Sequence, residues 1–61
     1  MNPMADHLAV IKTSGTIQEQ IRAVQVEIRY HENLDKYSLA TAYWKERLAV
    51  LINVNMGRIK V

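Results

Sequence analysis

Between residues 17 and 34 the apolar positions recur at helical spacing and fall into two sets. Ile17, Ile21, Val24, Ile28 and His31 follow one another at steps of four, three, four and three, which is a heptad seam. Ala23, Val26, Tyr30 and Leu34 form a second stripe, about 140° around the same helix. Thr16, with Glu19 three residues on, supplies a capping-box start. The pattern predicts helix A over about residues 17–33. Two separate stripes imply two separate coverings: the next helix, and either the N-terminal arm or another subunit.

The helical pattern breaks at "ENLDKYS", where Asn33, Asp35 and Ser38 favour turns and N-caps. A link this short sends the next helix back antiparallel. Helix B is predicted over about residues 37–55. Tyr37, Thr41, Trp44, Leu48 and Leu51 make its first seam. Ala40, Tyr43, Arg47, Val50 and Val54 make an adjacent one, so the inward arc covers over half of the circumference. Lys45, Glu46 and Asn53 lie on the other side with Ala42 and Ala49. A lone hairpin cannot cover so wide an arc.

Residues 1–15 form an N-terminal arm ahead of Gly15. Asn2 followed by Pro3 is a helix-start signal, and Met4, Leu8 and Ile11 then share one face. "LAVIKT" also reads as a strand whose mate is "RIKV" in the tail, residues 56–61; the helix is the favoured reading. The expected fold is therefore all-α: one domain, an antiparallel helical hairpin with a short arm, dimerising into a four-helix arrangement.

Composition supports the oligomer. A chain of 61 residues buries only about 60% of its unfolded surface, and without cysteine it has no disulfide or thiolate metal site to add stability. The lack of cysteine also fits a reducing compartment. The longest apolar run, Leu48 to Ile52, falls far short of the roughly 20 residues that span a bilayer. No secretory signal pattern is visible. These features predict a cytoplasmic protein with no membrane association.

Arg47 stands out because it sits within an apolar seam. Its stem either packs while its head reaches water, or pairs with Glu27 or Glu19 of helix A, or the residue belongs to an interface. The interface reading places it with Tyr43 and Tyr30, with Arg47 opposite Ala23 and Tyr43 opposite Glu27. All four aromatics (Tyr30, Tyr37, Tyr43 and Trp44) fall around the turn, where an antiparallel hairpin gathers them at one end. Tyr, Trp and Arg dominate binding hot spots, so these five residues are the candidate partner-binding set.

Gln18, Arg22, Gln25, Arg29 and Asn33 line a polar stripe of helix A, which would suit a phosphate backbone or an acidic protein surface. A net charge of only +2 makes nucleic acid the second choice. Glu27, His31 and Asp35 are spaced four apart, but a packed or dipole-stabilised histidine is the simpler reading, so no metal site is assigned. Nothing at catalytic spacing and no Gly-rich phosphate loop appears, so neither an enzyme nor a cofactor is expected.

The layout resembles that of small helical-hairpin regulators, a class that includes phage-encoded inhibitors of host proteins. "KERLAVLIN" resembles the second helix of sporulation-type aspartyl-phosphate phosphatases, but Lys45 and Ala49 stand where their Ser and Asp would be, so that chemistry does not carry over. The expected function is a non-enzymatic, homodimeric, protein-binding regulator. A dimeric nucleic-acid binder using Arg22 and Arg29 is the alternative.

Overall fold

Two hydroxyl side chains set the starts of the two long helices. The Thr16 hydroxyl accepts from the Glu19 amide at 3.2 Å, and the Ser38 hydroxyl accepts from the Thr41 amide at 3.1 Å. Each satisfies one of the amides that the first helical turn leaves without a partner. The computed structural model describes residues 3–61. Among these are three helices and no strand: α1 (Pro3–Thr13), α2 (Ile17–Asp35) and α3 (Leu39–Asn55).

The predicted Asn2 cap lies outside the described residues. The arm is a full helix rather than a strand, and the tail pairs with nothing in a sheet. Helix A extends to Asp35. Helix B begins two residues later than expected, because Ser38 is the N-cap and Tyr37 belongs to the turn. Asp35 organises that turn. Its carboxylate accepts from the Tyr37 amide at 3.0 Å, and its carbonyl accepts from the Thr41 hydroxyl at 2.8 Å.

α3 stops at Gly57, whose φ of +77° is open to glycine. The Arg58 amide donates to the Asn53 carbonyl and the Gly57 amide to the Val54 carbonyl, a Schellman closure. The closure turns the tail back, and Ile59 packs against the core.

The core is Ile11, Val24, Val50 and Leu51, one or two residues from each helix. Leu8, Ile17, Ile21, Ile28, Trp44, Leu48 and Val54 surround it. α2 packs along α3, with Gln18 donating to Asn55 at one end and Lys45 3.0 Å from Glu32 toward the other. α1 rests on α3. The arm therefore covers the second seam of helix B and leaves the second stripe of helix A bare. Val26, Tyr30 and Leu34 on that stripe are 63%, 54% and 68% exposed.

Because α1 contributes Ile11 to the centre of the core, truncating it should cost as much as truncating α3. Ile11→Ala and Leu51→Ala should each lose about 2–5 kcal/mol in denaturant unfolding. Tyr37→Ser, on a turn residue 87% exposed, should stay within about 0.5 kcal/mol.

Candidate functional site

Arg47 is 5% exposed and lies inside the molecule. It has neither of the carboxylate partners that its seam position suggests, Glu19 or Glu27; its Nε–H donates 2.6 Å to Nδ1 of His7 on α1. Its Nη2 donates to the hydroxyl of Tyr43, one turn earlier on α3. The guanidinium sits 5.2 Å from the Tyr43 ring centre and 5.5 Å from that of Trp44. Spacings of four and three residues put both rings on the same face of α3 as Arg47. The His7 ring closes the group, 5.0 Å from Tyr43.

His7 is 1% exposed. A nitrogen that accepts a hydrogen bond carries no proton, so its Nδ1 is bare and the proton is on Nε2. Nε2 faces the Glu46 carboxylate at 3.7 Å. That contact alone would also suit an imidazolium. The shorter bond decides, because a second N–H at Nδ1 would point at the Arg47 N–H. Glu46, half-exposed, lies on the far side of the imidazole from the guanidinium. Among the described residues no carboxylate touches Arg47 directly.

A second polar side chain fixes the other end of α1. Gln20 is buried, and its amide donates to the carbonyls of Ile11 at 2.9 Å and Gly15 at 3.1 Å. These carbonyls come from the end of α1 and the link that follows, where helix geometry leaves acceptors without partners. α1 is therefore held to α3 through His7 and to α2 through Gln20.

Between these attachments lies an open groove of about 420 Å³. Val10 and Ser14 line it from the α1 side, Ala23 and Val24 from α2, and Trp44 and Arg47 from α3. Glu19, Gln20 and Glu27 complete it from α2. Arg47 and Ala23, expected opposite each other, both line this groove; of the expected pair Tyr43 and Glu27, only Glu27 lines it.

Tyr43, Trp44 and Arg47 of the candidate partner-binding set come together. Tyr30 and Tyr37 do not join them. Tyr30 stacks edge-on with His31 of its own helix, and Tyr37 lies under Lys36 in the turn. The aromatics separate because Tyr30 projects from the outer stripe of α2 and Tyr37 precedes α3. Arg22, Gln25 and Arg29 are exposed along α2, and Gln18 is tied to Asn55. His31 Nε2 lies 3.5 Å from Glu27 Oε2, and no grouping of three metal-ligating side chains occurs among the described residues.

His7 and Gln20 went unassigned in the sequence reading, yet both carry a signal. Met4, His7, Leu8 and Ile11 keep the i, i+3, i+4, i+7 spacing of a buried stripe, and so do Ile17, Gln20, Ile21 and Val24. Each polar residue occupies the second place in an otherwise apolar quartet.

Compared with protein-family models, curated proteins and solved structures, the chain matches none of them. Among the described residues no helix is long and apolar enough to cross a membrane.

The Arg47–His7 contact makes a sharp stability prediction. Arg47→Met should lose about 1–3 kcal/mol, because the buried Nδ1 of His7 loses its donor. His7→Leu should lose more, since it leaves a buried cation without that acceptor. The double variant should recover much of either loss, giving a coupling of about 0.5–3 kcal/mol in a double-mutant cycle by urea unfolding. Additive losses would show that the bond does not join the two helices.

Proposed function

We propose that the protein is a non-enzymatic, protein-binding regulator that uses the groove between α1 and α2 to hold a side-chain cluster of its partner. In this reading α2 and α3 act as an antiparallel hairpin, α1 forms one wall of the groove, and the chain works as a homodimer. The observation that carries it is the open groove, about 420 Å³, with Trp44 and Arg47 set into its α3 side. Binding sites are mostly apolar concavities with a few fixed polar groups. Here Val10, Ala23, Val24 and Trp44 supply the apolar lining. Arg47 supplies a cation whose position is already fixed by His7 and Tyr43, so little side-chain entropy remains to be lost on binding.

A nucleic-acid reading has its own support. Arg22 and Arg29 are exposed, and among the described residues neither enters an ion pair. Two arginines on one stripe give a small footprint, and this ranks it second.

Capture of partners by the tagged full chain separates the two. Val10→Arg places a long charged side chain at the groove wall on a residue exposed in the free protein. It should abolish capture of the protein partner without altering the circular dichroism spectrum. Arg22→Ala combined with Arg29→Ala, outside the groove lining, should leave capture by each chain intact with or without nuclease, even where it loosens the homodimer. The opposite pattern, with log affinity for DNA or RNA falling linearly as log salt rises, would establish the second reading.

A further inference from the structure

The outer stripe of α2 lies outside the groove lining except at Ala23, and no other helix covers Val26, Tyr30 or Leu34. We propose that this stripe is occupied by the same stripe of a second copy, with the two α2 helices parallel and in register about a two-fold axis along them. The proposal rests on the self-association included in the reading above and gives it a surface and a direction.

The flanking charges set the direction. Written as a heptad, the outer face puts Ala23 and Tyr30 at a, Val26 at d, Arg22 and Arg29 at g, and Glu27 and Leu34 at e. Arg22 and Arg29 are exposed, and Glu27 is half-buried beside His31. In a parallel pair each g residue meets the e residue five positions on in the partner helix. Arg22 then meets Glu27 of the second copy, and two-fold symmetry forms that pair twice. The aliphatic stem of Arg29 lies over the second copy's Leu34.

An antiparallel pair centred on Val26 brings like flanks together. Arg22 then faces Arg29 of the second copy, again twice, and the repulsion opposes association. Glu19 falls on the same seam one turn before Ala23, so the parallel register also sets two carboxylates against each other there, opposed by the two Arg22–Glu27 pairs. The contact takes in Glu19, Ala23 and Glu27 from the α2 wall of the groove, while Val10, Ser14, Trp44 and Arg47 on its other walls lie off it.

The chain has no cysteine, so single introduced thiols report the geometry without background. Ala23→Cys and Tyr30→Cys both change exposed positions. Under a mild oxidant each variant should form a disulfide-linked homodimer, because in a parallel register both positions meet their own counterparts. A mixture of the two should give little of the 23-to-30 cross-link. Arg22→Glu should weaken self-association in sedimentation equilibrium by roughly tenfold, and adding Glu27→Arg should restore it. Folding of each variant is checked by circular dichroism, since all four positions lie outside the core. If the 23-to-30 cross-link dominates and neither homodimer forms, the stripe pairs antiparallel: the orientation fails while self-association stands. If the native chain sediments as a monomer and no thiol cross-links, the contact and the homodimer fail together, leaving the groove reading to be judged by Val10→Arg.

Discussion

The hydrogen bond from Arg47 to His7 is the contact on which the arrangement of the three helices depends. The α2–α3 pair has an apolar seam of its own, but the broad inward arc of α3 extends well past what α2 covers. Something must seal the sector that carries Tyr43, Arg47, Val50 and Val54. α1 does so, with Ile11 entering the core and His7 accepting from the guanidinium. Apolar contact alone would let a helix this short slide or rotate. A donor in a fixed plane and a single acceptor nitrogen define one position along α3 and one rotation of α1.

Polar burial is heavy for so small a molecule. His7, Gln20, Thr41 and Arg47 are as deeply buried as Ile11, Val24, Val50 and Leu51. Each of the four polar residues bonds across a boundary between elements: His7 and Arg47 join α1 to α3, Gln20 joins α2 to the end of α1, and Thr41 joins α3 to the last residue of α2. A buried polar group adds little net stability beyond an apolar one of its size, but it penalises every arrangement that leaves it without a partner. With so few buried aliphatic residues, that penalty is what selects one packing of α1 over its neighbours.

The two long helices were legible because their signals are local. Thr16 and Ser38 are capping residues at helix starts, and the seam of α2 repeats over four turns. The helical arm was legible from Pro3 and the face shared by Met4, Leu8 and Ile11, although its length and its partner were not. Which sector of which helix it covers depends on a contact forty residues away in sequence, and no periodicity within either segment encodes that. Arg47 was conspicuous because a cation in an apolar seam breaks the local rule. Its acceptor was hidden because histidine in an amphipathic helix is unremarkable until its place in the apolar quartet is counted. Tyr37 falls two residues before α3 and not within it, since the apolar step from Tyr37 to Thr41 fits a helix and only the cap at Ser38 excludes it.

The same constraint explains why two unlike surfaces remain. Fastening α1 to α3 at His7 draws its first half toward α3, while Gln20 and the Gly15 link keep its far end beside the start of α2. The helix therefore crosses between its neighbours, and the space on the α2 side becomes the groove. Had α1 lain along α2 instead, it would have covered Ala23, Val26 and Tyr30, and the seam around Arg47 would have faced water. A guanidinium is far easier to solvate than to bury, so that alternative would cost less at Arg47. It would also expose Val50 and strip Ile11 from the core, in a chain whose aliphatic core is already thin. The observed packing accepts one buried cation, satisfied by a neutral imidazole and two aromatic faces, and in return seals α3. Val26, Tyr30 and Leu34 of α2 are then left as a continuous exposed apolar stripe that no other helix covers.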